Sequence, residues 1–296
     1  MPRRDAEVVT NNATTKKPPT VNKTVAPEPS DIGHYYDHKV FDLMTQLGDG
    51  NLHYGYWFDG GRQEATFDQA MVQMTDEMIR RLDPAPGDRV LDIGCGNGTP
   101  AMQLARARDV EVVGISVSAR QVERGNRRAR EAGLADRVRF EQVDAMNLPF
   151  DDASFDHCWA LESMLHMPDK QQVLSEALRV VKPGARMPIA DMVYLNPDPS
   201  KPRTATVSDT TIYAALTDIG DYPDIFRAAG WTVLELTDIT SETAKTYDGY
   251  VEWIRAHRDE YVDIIGVEGY ELFLHNQAAL GKMPELGYIF ATAQRP

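Results

Sequence analysis

The sequence predicts an α/β fold, in which helices cover both faces of a mostly parallel β-sheet. Over residues 85–196, short apolar segments alternate with amphipathic ones, which is the pattern of strands joined by crossover helices. One apolar segment runs directly into a glycine-rich turn, as strands of such sheets do at a ligand site. The 296 residues, 42% of them hydrophobic, suffice for one large domain or a core with a smaller cap.

Seven strands follow from this alternation. They are predicted near residues 89–93, 111–115, 138–143, 155–160, 189–195, 232–239 and 286–293. Because Pro188 has no N–H for a ladder, the fifth strand is expected to begin only at Ile189. Helix punctuation is clearest after Ser118, which forms a capping-box pattern with Gln121, and Gly133 marks the end of that helix. Further helices are predicted at 66–82, 100–108 and 221–230.

The flanking segments extend this core. Residues 1–30 are rich in Thr, Asn, Pro and Lys without apolar periodicity, which predicts a flexible N-terminal tail. Residues 31–84 are expected to hold N-terminal helices and a loop, the first helix carrying apolar side chains from Tyr35 to Leu47. Residues 197–296 complete the core and contain two predicted helical insertions that form a lid, at 197–219 and 241–283.

The segment Val90–Gly98 is the most informative part of the chain. An apolar strand with Asp92 is followed by glycines at 94, 96 and 98, which allow a sharp turn and a close approach to a small molecule. The dinucleotide fingerprint would need its third glycine where Thr99 stands, and an acid where Ser116 stands. NAD is therefore disfavoured as the cofactor.

Further motifs occur in an order that points to one family. Val90–Gly98 resembles motif I of the class I S-adenosylmethionine (SAM)-dependent methyltransferases, and Asp144-Ala145, 148–156 and Val181–Gly184 resemble motifs II, III and post-III. The resemblance implies the Rossmann-like class I methyltransferase fold, with a seven-stranded mostly parallel sheet, helices on both faces and a helical lid. It also implies SAM as cofactor and S-adenosylhomocysteine as product.

By this resemblance, a set of core residues is expected to bind SAM. These residues are Asp92, Gly94, Gly96, Gly98, Ser116, Gln121, Asp144, Ala145 and Glu162. Asp92 and the three glycines line the methionyl part, whereas Asp144 and Ala145 meet the adenine edge. Ser116 replaces the usual ribose-binding acid. Gln121 either closes its capping box or also reaches the ribose or the carboxylate.

A polar and aromatic loop, Asn51–Trp57, precedes the first core strand. Its aromatic residues are interpreted first as packing of the N-terminal helices onto the core. The loop also resembles the LHYGYW-type loop of methyltransferases that act on natural products, and of their prenyl-lipid relatives. That resemblance implies that His53 and Tyr54, together with Tyr35 or Tyr36 of the preceding helix, close over the SAM methionine.

Catalytic residues are expected directly after the fourth strand. Glu162 and His166 lie about one turn apart at the carboxyl edge of the sheet. Their segment resembles that of sugar O-methyltransferases of secondary metabolism, which implies His166 as the base and Asp191, at the end of the fifth strand, as its orienting partner. Glu162 is expected to be a reserve base or a contact near the cofactor.

The predicted function is transfer of a methyl group from SAM to a bulky, largely apolar specialised metabolite in natural-product biosynthesis. O-methylation would use His166 and Asp191, whereas C-methylation would leave a carbocation that needs aromatic faces and could trigger cyclisation. The alternative is a methyltransferase-fold pericyclase that retains SAM without methylating. Aromatic residues of the lid indicate a greasy pocket, although most are interpreted as packing: Tyr213, Phe226, Tyr250, Trp253, Tyr261, Tyr270 and Phe273.

The composition of the chain limits the classes of binding partner that can be expected. The net charge of −14 argues against nucleic acid, and one basic helix is interpreted as a solvated face: Arg120, Arg124, Arg127, Arg128 and Arg130. A small-molecule substrate is expected, and no metal is predicted, because no constellation makes His257 or His275 a ligand. A homo-oligomer that exchanges its N-terminal extensions is one option.

Location is also suggested by the sequence. No apolar run approaches a membrane span, and the N-terminus lacks the apolar core of a secretory signal. Cys95 and Cys158 fall in predicted buried elements and are expected to be reduced thiols of a cytoplasmic protein.

Overall fold

The structure, a computed structural model, describes residues 28–44, 46, 50–195, 206–208, 211–213 and 216–296, with the backbone alone at 42, 206–208 and 211–213. Residues 1–27 of the predicted tail, Leu47, the Tyr213 side chain and much of the first predicted insertion lie outside this description. Helix begins at Pro29, two residues before residue 31, where the predicted tail gives way to the N-terminal helices.

Ten strands occur in the described residues. They are β1 (Arg89–Ile93), β2 (Glu111–Ser116), β3 (Val138–Gln142), β4 (His157–Leu161), β5 (Arg186–Tyr194), β6 (Thr206–Ser208), β7 (Thr211–Tyr213), β8 (Thr217–Asp218), β9 (Thr232–Asp238) and β10 (Leu286–Gln294). The main sheet has the order β3-β2-β1-β4-β5-β10-β9, and the two-residue β8 pairs with β5. Within this sheet β10 runs antiparallel to β5 and β9, and the other described pairings are parallel. The predicted mostly parallel sheet is therefore confirmed, with β8 as an eighth strand, whereas β6 and β7 form a separate antiparallel pair.

The expectation that β5 begins at Ile189 is wrong. The strand starts three residues earlier, and Pro188 pairs with Thr292 of β10. The Arg186 N–H donates to His157 Nδ1 on the β4 side, at 3.0 Å, and residues two apart in a strand direct their N–H groups to the same side. The missing N–H of Pro188 therefore faces β4, where the ladder begins only with Ile189 opposite Ala160. No ladder bond of β10 is lost.

Ten helices surround the sheet in the described residues. They are α1 (Pro29–Tyr36), α2 (Val40–Met44), α3 (Phe67–Leu82), α4 (Thr99–Arg108), α5 (Ala119–Glu131), α6 (Lys170–Val180), α7 (Tyr222–Ala228), α8 (Thr240–Thr243), α9 (Thr246–Ala256) and α10 (Arg258–Leu280). The single N-terminal helix expected from Tyr35 to Leu47 is instead two helices. Asp37 ends α1, where its side chain accepts a hydrogen bond of 2.6 Å from the Ser118 hydroxyl.

The two predicted insertions differ. Residues 241–283 are helical as predicted, with a break at Gly266, whose φ is +73°. The helical prediction for 197–219 is wrong where that segment is described, because β6, β7 and β8 are strands rich in β-branched Thr, Val and Ile.

Separate apolar cores cover the two faces of the sheet. On one face, α3 contributes residues such as Met74, and on the other, α6 contributes residues such as Leu174. Phe226 of α7 belongs to the second core, beside Trp231, and therefore not to an acceptor pocket. A third cluster joins α2, α9 and α10 above the carboxyl edge of the sheet. Both cysteines are free and buried.

Of the helices in the described ranges, none is both long and apolar enough to cross a membrane.

Candidate active site

A cavity opens at the carboxyl ends of β1, β2, β4 and β5. The glycine turn, the loop 51–57, α1 and the turn after β4 line it, and Gln277 reaches it from α10. Thirteen of the residues predicted for the site lie in its wall: Tyr35, Tyr36, His53, Tyr54, Asp92, Gly94, Gly96, Ser116, Gln121, Asp144, Ala145, Glu162 and His166. Gly98 and Asp191 lie outside the wall.

The three glycines have different physical roles, although all have positive φ. A Cβ on Gly94 would lie 2.2 Å from Ser163 Cβ, and a Cβ on Gly98 would lie 2.3 Å from Phe140 Cζ. A Cβ on Gly96 would meet nothing closer than Leu52 Cδ1, at 4.0 Å. Gly94 and Gly98 are therefore required by packing, whereas Gly96 borders open space.

Asp92 is a buried carboxyl group in the cavity wall. Its side chain is 2% exposed, and its Oδ2 has no hydrogen-bond partner among the residues that the structure describes. Burial raises the pKa of Asp92 from 3.8 to about 7, because the charged form is poorly solvated there. Such a group favours a cationic or hydrogen-bond-donating ligand.

Ser116 and Gln121 form a hydrogen-bonded pair beside the glycine turn. The Ser116 hydroxyl donates to Gln121 Oε1 at 2.7 Å and accepts from the Ser118 N–H at 3.1 Å. Ser118 caps α5 by accepting from the Gln121 N–H, but the Gln121 side chain bonds to Ser116 and does not close the capping box. The expectation that the Gln121 side chain closes the capping box is therefore wrong. The expected contact of Gln121 with the cofactor stays a prediction.

The loop 51–57 is fixed from both sides. His53 is 4% exposed and contacts the Tyr54 carbonyl through Nδ1 at 2.9 Å and Thr75 through Nε2 at 3.2 Å. Burial lowers its pKa to about 4, so His53 is neutral at physiological pH. Trp57 stacks on Phe67, with ring centroids 6.1 Å apart, as its packing interpretation predicts.

Glu162 forms hydrogen bonds with both the loop 51–57 and strand β10. Its Oε1 accepts hydrogen bonds from the Tyr54 N–H and from the Tyr288 hydroxyl, the latter at 2.5 Å. The rings of Tyr54 and Tyr288 stack with centroids 5.0 Å apart, and Tyr54 also donates to Tyr247. Burial raises the pKa of Glu162 to about 8, so the carboxyl group is largely protonated at neutral pH.

His166 ends the short helical turn after β4 and lies under α1. Its Nε2 is 2.6 Å from the Tyr36 hydroxyl, and the two rings meet edge to face. Burial raises the pKa of Tyr36 well above its usual value of 10, so the hydroxyl keeps its proton. A neutral tyrosine hydroxyl can donate to Nε2 or accept from it, and the tautomer of the imidazole decides which. The imidazole is therefore held at the cavity wall by a hydrogen bond through Nε2.

Asp191 lies on the opposite face of β5 from the cavity residue Met192. Its Oδ2 accepts from the Tyr222 hydroxyl of α7, and its Oδ1 has no hydrogen-bond partner in the described residues. Burial raises the pKa of Asp191 to about 6, although nearby Lys170 opposes the rise. The expected hydrogen bond between Asp191 and His166 is thus not formed in this structure.

The basic helix α5 is only partly the solvated face that its composition suggests. Arg127 and Arg130 are exposed, but Arg120, Arg124 and Arg128 are half-buried along the inner side of the helix. Their partners are the Asp37 carbonyl at 3.1 Å for Arg120, Asn97 Oδ1 at 2.9 Å for Arg124 and Thr99 Oγ1 at 2.7 Å for Arg128. In the sequence, the i, i+4, i+8 spacing of these three arginines indicates that they share one face of the helix.

The contacts of Tyr222 and Tyr288 with the carboxylates of Asp191 and Glu162 are not indicated by any pattern in the sequence. Each comes from an element distant in sequence from the carboxylate that it contacts, so no local spacing relates them.

Comparisons with known proteins identify the family of the chain. A family model described as a methyltransferase domain matches residues 84–231. 27-O-demethylrifamycin SV methyltransferase from Amycolatopsis mediterranei is 40% identical over 275 residues, which is 91% of this chain and 98% of that protein. The solved structure of the [4+2]-cyclase SpnF has 32% identity and a TM-score of 0.80, over 92% of this chain and 98% of that one.

A further solved structure shows the fold alone. Geranyl diphosphate C-methyltransferase from Streptomyces coelicolor, determined with S-adenosylhomocysteine, has a TM-score of 0.69 at 23% identity and covers 93% of this chain and 100% of its own.

The fold, the site and these relatives define a class I methyltransferase, and the chain belongs to that family. It is a SAM-dependent enzyme of the Rossmann-like type. The cavity suits this cofactor: Asp92 Oδ2, which has no partner in the described residues, matches the methionyl ammonium group, and the open space at Gly96 admits a ligand against the backbone.

Proposed function

We propose that this enzyme transfers the SAM methyl group to a hydroxyl oxygen of a bulky, largely apolar natural product, with His166 as the base. The observation that carries the proposal is the hydrogen bond of 2.6 Å that holds His166 Nε2 against the Tyr36 hydroxyl at the wall of the cofactor cavity. In the proposed reaction the hydroxyl donates and Nε2 accepts. An imidazole in this state is suited to take the proton of an attacking hydroxyl near neutral pH.

The remaining wall of the cavity supports an apolar acceptor. Besides its polar residues, the cavity wall contains apolar and aromatic side chains, which are Ile32, Tyr35, Phe41, Met44, Leu165, Met192 and Tyr250. The relative from Amycolatopsis mediterranei is named for methylation of 27-O-demethylrifamycin SV, a natural-product hydroxyl. We assign the acceptor to this side and the cofactor to the side of the glycine turn.

The roles expected of the core residues are retained in the proposal. Asp92 and Gly96 hold the methionyl end, Ser116 and Gln121 face the ribose, and the adenine edge meets Asp144 and Ala145. Residues 31–84 cover the cofactor, residues 85–196 form its binding core, and the helices of 241–283 close the acceptor side.

Bound SAM supplies a methyl group already activated by a sulfonium, so the protein mainly aligns the acceptor and removes one proton. Because Tyr36 occupies His166 Nε2, we propose that the proton passes through its hydroxyl. The acceptor O–H gives its proton to the Tyr36 oxygen while Tyr36 gives its own to Nε2. The acceptor oxygen forms the new bond to carbon as the bond from carbon to sulfur breaks.

The test compares metabolites of the producing organism with the gene deleted, restored, or restored as His166→Asn, during feeding of methyl-labelled methionine. Accumulation of a precursor lighter by one methyl group, with label entering the product only in the wild-type restoration, is the expected result. Label that enters the product equally with His166→Asn would contradict the role of His166 but not methyl transfer.

The likeness to SpnF favours one second candidate, a cyclase that retains SAM without methylating. The same experiment separates the two functions. A blocked precursor that equals the product in mass and takes no label would identify an isomerising or cyclising enzyme. Label on carbon rather than oxygen would identify C-methylation, with the aromatic wall stabilising a cation.

A further inference from the structure

The inner side of α5 carries an arginine row, which we define as Arg120, Arg124 and Arg128. Its middle member reaches the glycine turn, where the guanidinium donates to Asn97 Oδ1 at 2.9 Å. Asn97 lies between Gly96 and Gly98 and is 2% exposed. Arg124 of α5 therefore holds the glycine turn through its contact with Asn97.

The contact with Arg124 fixes the orientation of the Asn97 amide. A guanidinium can only donate, so the atom facing it must be the oxygen, and the amide nitrogen takes the other position. That nitrogen, Nδ2, is buried and has no hydrogen-bond partner in the part of the chain that the structure describes. Asn97 also belongs to the cavity wall. A buried unpaired donor in a ligand cavity indicates an acceptor on the ligand.

The surroundings indicate which acceptor this is. The N-terminus of α4 begins two residues later, at Thr99, and favours negative charge. At the other end of the turn, Asp92 offers an unpartnered acceptor in the same cavity wall. A donor at one end and a carboxyl group at the other match the carboxylate and the ammonium of an α-amino acid, which is the methionyl end of SAM.

We infer that Asn97 Nδ2 donates to the methionyl carboxylate of the cofactor, and that Arg124 is the positioning residue that fixes the amide for this contact. The inference rests on SAM as the cofactor and is independent of the acceptor. Thr99 is supported in the same way by Arg128, at 2.7 Å, so the arginine row holds both the turn and the first residue of α4.

Binding of S-adenosylhomocysteine to the full-length protein, measured by isothermal titration calorimetry, tests the inference. Arg124→Met is expected to weaken binding on the order of tenfold, because a hydrogen bond to a charged group is lost from the arrangement. Arg124→Lys should recover part of the affinity. Binding of 5′-methylthioadenosine, which lacks the amino-acid end, should stay within about twofold in both variants.

Two matched variants complete the design. Arg127→Met removes the same charge from the exposed side of α5 and should leave both affinities unchanged. Asn97→Ala should weaken S-adenosylhomocysteine binding, and Arg124→Met should then add little, because the two residues act through one contact. In steady-state assays, Arg124→Met should raise KM for SAM and leave kcat close to that of the wild type.

Several outcomes would overturn the inference. Equal losses with Arg127→Met would show a general effect of charge, and equal losses of both ligands with Arg124→Met would show a disturbed turn. Unchanged S-adenosylhomocysteine binding by Arg124→Met would refute the positioning role of Arg124 but not SAM as the cofactor. A wild-type protein that binds no S-adenosylhomocysteine would refute the cofactor itself, and with it the proposed function.

Discussion

The Tyr36 hydroxyl lies 2.6 Å from His166 Nε2 and joins the N-terminal helix α1 to the turn that follows β4. This contact makes one residue of the covering helix part of the proton path of the proposed reaction. The N-terminal helix and the proposed base are therefore linked through one hydrogen bond.

The first prediction concerns that pair. His166→Asn is expected to lower kcat by about 100-fold or more, since general-base catalysis is lost. Tyr36→Phe should lower kcat by about tenfold, because the ring contacts with Tyr35 and Phe41 remain but the relay is removed. Initial rates with radiolabelled SAM give both values.

Binding of S-adenosylhomocysteine provides the control for this prediction, because it should stay within about threefold in both variants. A Tyr36→Phe enzyme with wild-type kcat would exclude the relay and leave Tyr36 a shield of the site.

The second prediction uses the pKa of Asp92, which burial raises to about 7. The cofactor ammonium requires the ionised carboxylate, and below pH 7 the free enzyme holds Asp92 protonated. The affinity for S-adenosylhomocysteine should therefore fall as the pH decreases below 7, by up to about tenfold for each pH unit. Calorimetric titrations between pH 5.5 and 8 measure this slope.

Asp92→Asn isolates this effect, because Glu162 and Asp191 titrate in both proteins. The variant should bind weakly, and the slope due to Asp92 should disappear. A slope that persists unchanged in Asp92→Asn would assign the pH dependence to another group.

The third prediction distinguishes two glycines of the turn. Gly96→Ala places a methyl group in open space at a φ of +51°, so the protein should fold with a loss of unfolding free energy of about 1–2 kcal/mol. Its affinity for S-adenosylhomocysteine should nevertheless fall, because the methyl group occupies ligand space. Gly94→Ala meets Ser163 at 2.2 Å and should destabilise the fold much more.

Thermal unfolding and calorimetry on the same preparations test this difference. Equal stability of the two variants would contradict the separate roles of Gly94 and Gly96.

The fourth prediction concerns Asp191, whose folded-state pKa of about 6 exceeds its ordinary value of 3.8. The folded protein binds this proton more tightly than the unfolded chain does, so the contribution of Asp191 to the free energy of unfolding declines as the pH rises from about 4 to 6. The decline should be on the order of 2–3 kcal/mol. Asp191→Asn can still accept from Tyr222 and should lack the decline.

Denaturant unfolding at pH 4.5 and pH 7.5 measures the effect for both proteins. The kcat of Asp191→Asn should stay within about threefold of the wild type, since Tyr222 and not His166 is its hydrogen-bond partner. A 100-fold loss of kcat with unchanged stability would restore Asp191 to the catalytic role that the sequence suggests.

Much of the fold could be predicted because its determinants are local. Alternating apolar segments located all seven strands of the main sheet path, and the cap Ser118 located the start of α5. The helical expectation for 197–219 failed because the described part of that segment is short, β-branched and paired within the tertiary structure. The early start of β5 escaped notice because only pairing shows which side of the strand lacks the N–H of Pro188.

The sequence by itself determined the class of the enzyme, the glycine turn and thirteen residues of the cavity wall. These follow from residue type and order along the chain, since the carboxyl ends of parallel strands meet at one edge of a sheet. Only the tertiary structure decided which side chains touch. It joined His166 to Tyr36, Asp191 to Tyr222 and Asn97 to Arg124, because hydrogen bonds depend on distances between elements that the local pattern of a sequence does not specify.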